Sequence, residues 1–308
     1  MVDSAAMSQV ADVLWARKEE PKFVVLSAMG GTTDALIRAG QLARAEDPAW
    51  HTVVSDLRQR HLDACDALLT GALADAVKAE VEDGFGFVRS LCEGLQLLHE
   101  FSHHTRDALV SMGERLSVPI VHALLVQRGF EVGRLSALDM VATDDQYGAA
   151  TVDRAQMSSR LKAAMADLGE KQVVVMEGFV GRDGHGEVTT LGRGGSDLTA
   201  SLVASMLGAS HMEKSTDVPG MLTADPRVVP SARIIDSMSY EEAMELCHFG
   251  AKVIYQPTIE PLREAGIPLI VRSTFDGDAP GTRIVAQPEP PAVVRALSSI
   301  NDLVLITL

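Results

Sequence analysis

Apolar residues between Ser8 and Trp15 recur at helical spacing, and the run Lys22-Phe-Val-Val-Leu26 that follows has the β-branched character of a buried strand. A glycine turn, Met29-Gly-Gly31, leads through Thr32 and Thr33 into a second predicted helix that ends near Arg44. Between residues 48 and 122 the chain is rich in Leu, Ala, Asp, Glu and Arg and carries few strand signals. That stretch is expected to be a helical insertion or lid, broken near Gly71, Gly84 and Gly94. Strand signals return at Phe130-Glu-Val132, Val173 to Met176, Val188 to Leu191 and Pro268 to Val271, with helices expected over 151–167 and 197–208. Such alternation predicts the α/β class: a mostly parallel sheet covered by helices on both faces, an α/β/α sandwich.

Composition changes this picture mainly by exclusion. The 308 residues hold 42 acidic against 27 basic side chains, a net charge of -15 that disfavours nucleic acid or an anionic membrane as a partner. No run reaches the roughly 18 consecutive apolar residues of a membrane span, and Met1-Val-Asp-Ser4 lacks the basic and apolar regions of a signal peptide, so a cytoplasmic location is expected. Cys65, Cys92 and Cys247 are odd in number and widely spaced, which reads as ordinary reduced thiols. Adjacent His103 and His104 point in different directions on a helix and read as surface residues rather than metal ligands.

The segment with the most chemistry is Leu191-Gly-Arg-Gly-Gly-Ser-Asp197, which opens into the apolar run Leu198 to Leu207. Its glycines let backbone N–H groups approach a ligand, Arg193 adds a fixed charge, and Ser196 or Asp197 can cap the helix that follows. A helix N-terminus so equipped favours phosphate or carboxylate. Glu114 reads equally as a solvated helix residue beside Arg115, and Arg193 as a surface arginine. Thr216-Asp-Val-Pro-Gly-Met-Leu-Thr-Ala-Asp-Pro-Arg227 joins a Pro-Gly turn to an Asp-Pro turn and ends in a cation, a form that holds backbone groups in the open.

These two segments, with SAMGGTTD at 27–34, MGERLS at 112–117 and GAKVIYQPT at 250–258, resemble the aspartate kinases of the amino-acid kinase superfamily. The resemblance covers nearly the whole chain. It implies transfer of the γ-phosphoryl group of ATP to the side-chain carboxylate of L-aspartate, the opening reaction toward lysine, threonine and methionine, in a homo-oligomer. By the same resemblance Thr33, Glu114, Arg193 and Ser196 bind aspartate, with Glu114 receiving the ammonium and Arg193 clamping a carboxylate. Thr216, Asp217, Leu222, Arg227 and Lys252 fall at nucleotide-binding positions, and Asp197 and Lys252 at the catalytic ones near the reacting phosphates. No dense carboxylate cage is visible, so magnesium is expected to arrive with ATP.

Departures from the family pattern set further expectations. Leu222 stands where many aspartate kinases have tyrosine, and Ser215 where an aromatic is common. Nothing in the sequence supplies the family's N-terminal Lys-Phe-Gly-Gly-Thr-Ser loop. Residues 1–286 are read as the kinase domain lacking that loop. Residues 287–308 are read as a Pro-rich linker with the start of a truncated regulatory ACT domain, a wording nearer the bifunctional aspartate kinase/homoserine dehydrogenase. A chain short at both ends is expected to be nearly inactive by itself. Two other readings stay open: a catalytically silent regulatory subunit of the same fold, and a kinase for glutamate, acetylglutamate, carbamate or a nucleotide.

Overall fold

The computed structural model describes residues 3–20, 22–248, 253–275, 279–288 and 294–298. By its internal contacts the chain divides into two compact units, 1–199 and 200–308. In the first unit the side chain of Asp3 accepts the N–H of Ala6 at 2.9 Å and so starts α1 (Ser4–Ala16), four residues before the apolar pattern becomes helical. Then come β1 (Lys22–Leu26), α2 (Thr32–Arg44), α3 (Ala49–Leu68), α4 (Gly71–Leu98), α5 (His103–Val110) and α6 (Met112–Gln127). The remainder of the unit is β2 (Val132–Arg134), α7 (Ala137–Met140), α8 (Arg154–Leu168), β3 (Val173–Glu177), β4 (Val180–Arg182), β5 (Val188–Thr190) and the first residues of α9 (Gly195–Leu207).

The sheet is built around β3. Every residue from Val173 to Glu177 is buried, as a central parallel strand requires, and β1 and β2 pair with it in parallel, in the order β1-β3-β2. Helix α6 packs on all three strands, and most of its residues are buried. The stretch 103–127 is long and apolar enough to cross a bilayer, yet 83% of its most apolar window is buried inside this unit, where it forms α5 and the core helix α6. Trp50 is buried on α3 with its Nε1–H donated to Gln96 at 3.2 Å, whereas Trp15 on α1 is 43% exposed and packs edge-on against Phe130.

The α/β class and the parallel sheet agree with the sequence, and three local expectations do not hold. Residues 71–98 form one unbroken helix through Gly84 and Gly94. Gly84 is a packing residue, since a Cβ there would lie 2.5 Å from Leu116 Cδ2 on α6. The strand at Val188 is no part of the parallel sheet: it pairs antiparallel with β4, Val180 opposite Thr190. The strand expected from Phe130 begins at Val132.

In the second unit α9 ends, followed by β6 (Met212–Thr216), β7 (Ser237–Ser239), α10 (Tyr240–His248), a 3-10 turn (Gln256–Thr258), α11 (Ile259–Ala265), β8 (Leu269–Ser273) and β9 (Thr282–Val285). The strand order is β6-β8-β9-β7, with β8 and β9 antiparallel and the outer pairs parallel. Met221, Tyr240, Leu262, Leu269 and Ile284 are among its buried residues, and the Tyr240 hydroxyl donates to the Ile267 carbonyl at 2.7 Å. Cys65 and Cys92 are buried free thiols, pushed up to about 11 and about 12 by burial, and Cys247 is half-buried. Most of the segment read as a Pro-rich linker and the start of an ACT domain lies outside the described residues.

Gly94 has nothing within 4 Å of the position a Cβ would take, so Gly94→Ala is expected to stabilise α4 by about 0.5–1 kcal/mol. Gly84→Ala should gain nothing, because Leu116 must first move. Urea unfolding of both variants checks this; equal effects would contradict the packing role of Gly84.

Candidate active site

At the end of β3 the backbone turns sharply and meets the start of α9. A Cβ on Gly178 would lie 2.6 Å from Ser196 Cα, and one on Gly195 would lie 2.8 Å from Phe179 Cδ2. Between them Phe179 holds a left-handed φ of 71°, which is uncommon and costly for an aromatic residue. Its N–H donates to Thr199 Oγ1 at 3.2 Å and its carbonyl accepts from Leu191 N at 2.9 Å, bonds that hold the conformation in place. Gly192 and Gly194 also have left-handed φ, 72° and 69°, in the turn that joins β5 to α9. The Gly194 carbonyl accepts from Leu198 N at 2.9 Å, so the helix starts two residues earlier than expected: Ser196 and Asp197 lie in its first turn rather than capping it.

A cavity of about 220 Å³ sits at this helix N-terminus, lined by Thr33, Glu114, Phe179, Gly192, Gly194, Gly195, Ser196 and Asp197. Its volume falls below the roughly 300–1,000 Å³ of sites for drug-sized molecules and suits a small metabolite. Thr33, Glu114, Ser196 and Asp197 are thereby brought together from α2, α6 and α9. Arg193 is not: it is exposed on the glycine turn, beside Gly192 and Gly194 but outside the cavity lining, with no ion pair or hydrogen bond among the described residues. A larger recess of about 610 Å³ lies elsewhere in the same unit, lined by Trp50, Arg58, Glu82 and Arg89 among others. It contains none of the sequence-predicted residues, and its Arg58 and Glu82 satisfy one another.

Glu114 is the electrostatic centre of the smaller cavity. It is 4% exposed; Oε1 accepts the N–H of Ala28 at 3.2 Å, and Oε2 is buried without a partner. Burial, aided by the nearby Glu177 carboxylate and opposed by the Ala28 N–H, pushes the carboxyl up to about 7. The solvated-helix reading of Glu114 is therefore incorrect. A buried carboxylate oxygen that lines a cavity and has no donor is suited to receive a cation.

The remaining predicted residues belong to the second unit. Thr216 ends β6; its carbonyl accepts from Thr274 N at 2.8 Å and its hydroxyl donates to Asp217 at 3.0 Å. Leu222 is half-buried and bridged antiparallel to Ile234. The Asp-Pro turn forms as expected, with the Asp225 carbonyl accepting from Val228 N at 3.0 Å and Val229 N at 2.8 Å. Arg227 folds back on the Asp225 carboxylate at 2.7 Å, and each holds the other in its charged form. The Arg227 side chain stays exposed while so paired. Lys252 lies outside the described residues. Sequence reasoning missed Phe179; the pair Gly178 and Gly181 flanking it directly after a strand was the available signal.

No cluster of three or more His, Cys, Asp or Glu suited to a metal occurs among the described residues. His104 contacts Glu187 at 2.9 Å, in keeping with a surface role.

Comparison with known proteins places this arrangement. Residues 1–273 match the amino acid kinase family. Lysine-sensitive aspartokinase 3 of Escherichia coli K12 is 33% identical over 100% of this chain and 67% of its own length. Aspartokinase 2, chloroplastic, of Arabidopsis thaliana is 32% identical over 92% of this chain and 52% of its own. The crystal structure of E. coli aspartokinase III in complex with aspartate and ADP, in its R-state, superposes with a TM-score of 0.89 at 33% identity, covering 96% of this chain and 65% of that one. The chain belongs to the amino acid kinase family, on its aspartokinase branch. It spans about half to two thirds of the length of these relatives.

Burial of Glu114 carries a stability consequence. The folded carboxyl titrates near 7 against an ordinary 4.5, so between those values the folded chain holds a proton that the unfolded chain has lost. Stability therefore falls as pH rises from about 4.5, and the loss, on the order of 3 kcal/mol, is complete above about 7. Glu114→Gln should melt higher than the parent at pH 8 and equal it near pH 4. Equal melting at pH 8 would mean that Glu114 is not buried as described.

Proposed function

We propose that this chain is the catalytic part of an aspartokinase, transferring the γ-phosphoryl group of ATP to the side-chain carboxylate of L-aspartate. The observation that carries the reading is the small cavity lined both by Glu114, whose buried Oε2 has no partner, and by the first residues of α9. An amino acid with a second carboxylate needs one acceptor for its ammonium and positive groups for its carboxylates. Glu114 supplies the first; the helix N-terminus and Ser196, with Thr33 beside them, supply the second. Likeness to an aspartokinase whose structure holds aspartate and ADP supports the same assignment.

Phosphoryl transfer asks the protein chiefly to place the acceptor oxygen in line and to stabilise spreading negative charge. In this reading Glu114 and Ser196 orient aspartate, and Arg193, at the rim, closes on a carboxylate when substrate enters. Thr216, Asp217, Leu222, Arg227 and Lys252 serve the nucleotide, Arg227 after release from Asp225. Magnesium typically uses only one or two protein carboxylates together with phosphates, and Asp197 is a single carboxylate of that kind in the cavity. The metal, bound with ATP, supplies charge neutralisation. The reading extends to a cytoplasmic homo-oligomer at the opening of lysine, threonine and methionine biosynthesis, with residues 1–286 as the kinase domain.

Trapping the acyl phosphate as a hydroxamate tests the assignment in the protein that carries this chain. Hydroxamate should form with aspartate and not with glutamate or acetylglutamate; formation with none would sink it.

Because Glu114 ionises near 7, the aspartate KM should fall as pH rises from 6 to 8. Glu114→Gln should raise that KM, flatten its pH dependence and leave the ATP KM nearly unchanged. Arg193→Ala should lose most activity through aspartate, and Arg193→Lys should rescue poorly, since a point charge lacks the bidentate fork. Parental aspartate kinetics in both Arg193 variants would remove Arg193 from the site.

A further inference from the structure

Asp107, on α5, is 1% exposed and forms no salt bridge among the described residues. An unpaired buried carboxylate is costly, and burial does push its pKa up. What offsets the cost is a set of three short hydrogen bonds. Oδ2 accepts the N–H of Gly148 at 2.7 Å and the N–H of Thr190 at 2.8 Å, and Oδ1 accepts the Thr190 hydroxyl at 2.8 Å. One carboxylate thus joins two segments that lie 42 residues apart in the chain.

Both segments bear on the glycine turn at the candidate active site. Thr190 ends β5 and is followed directly by Leu191 and Gly192; its carbonyl accepts the N–H of Ala150 at 2.9 Å, a second tie between the same two segments. Gly148, at φ 85°, presents its carbonyl to Gly192: a Cβ there would lie 2.8 Å from that oxygen. Gly192 itself lines the cavity. We propose that Asp107 is a positioning residue, which fixes Gly148 against Gly192 and so sets the placement of the turn 191–195 and of the helix N-terminus that meets the substrate carboxylates.

The role needs acceptors in these positions rather than a negative charge at the substrate. Asparagine retains one oxygen for the two N–H groups, and its amide can donate to the Thr190 hydroxyl, which then accepts. Alanine loses all three bonds. Misplacement of a binding group by about 1 Å can cost on the order of a hundredfold. Asp107→Ala is therefore expected to raise the aspartate KM by about ten- to a hundredfold while the ATP KM moves little, and Asp107→Asn to regain most of that loss.

The kinetic part rests on the aspartokinase reading, so amide hydrogen exchange without substrate provides a separate arm. In Asp107→Ala the amides of Gly148, Thr190 and residues 192–196 should exchange faster, while those of β3 keep their protection. If Asp107→Ala does not fold, Thr190→Val removes the hydroxyl bond alone and should accelerate exchange over 192–196 to a smaller degree. Unchanged exchange over 192–196 in the folded variants, or equal rises in both KM values, overturns the proposal. Faster exchange there, in a protein that forms no aspartyl hydroxamate, upholds the role of Asp107 and defeats only the substrate assignment.

Discussion

Two stretches of backbone meet where β3 ends, and their contact leaves no room for a side chain. Ser196 Cα occupies the space that a Cβ on Gly178 would need, so the strand end and the start of α9 are fixed relative to one another by direct backbone approach. The fully buried strand Val173–Glu177 gives one partner its rigidity, held by β1 and β2 on either side. The turn through Gly192 and Gly194 delivers the other. Phe179 is forced into its left-handed conformation between them, and it forms part of the cavity wall for that reason. The binding geometry is in this sense a by-product of how closely the sheet and the helix can pack.

Charge placement follows a different rule. The chain carries a net charge of -15, yet burial raises its most consequential acid to about 7. Glu114 sits in the first turn of α6, where the helix dipole favours a negative charge, but desolvation outweighs that help. A ligand ammonium would reverse the balance by supplying the missing partner for Oε2. Energy withheld from folding is then available to recognition, a common arrangement where function opposes stability.

Much of the site was legible because glycines and an apolar run state a backbone geometry directly. Leu191 to Asp197 could be placed at a strand-to-helix junction without any fold in view, and Val173 to Met176 read as a strand from its own apolar run. What escaped depended on neighbours distant in sequence. Gly84 looks like a helix breaker until Leu116 is set against it. Glu114 looks solvated beside Arg115 until Ala28 and Glu177 enclose it. The pairing of the exposed Arg227 with Asp225, two residues away, depends on the turn between them. In the second unit β6 reads Met-Glu-Lys-Ser-Thr and β7 spans three residues, so neither bears the apolar alternation that marks a strand. Lys252 was placed by resemblance alone.

The position of the two indoles has an optical consequence. Both tryptophans of the chain, Trp15 and Trp50, lie in the first unit, one partly in water and one buried with its ring nitrogen bound to Gln96. Emission excited at the red edge of protein absorption therefore comes from residues 1–199 alone, as a blue-shifted and a red-shifted component. Melting or rearrangement confined to residues 200–308 would pass without direct change in that light, and tyrosine emission, with Tyr240 and Tyr255 in the second unit and Tyr147 in the first, would have to report it.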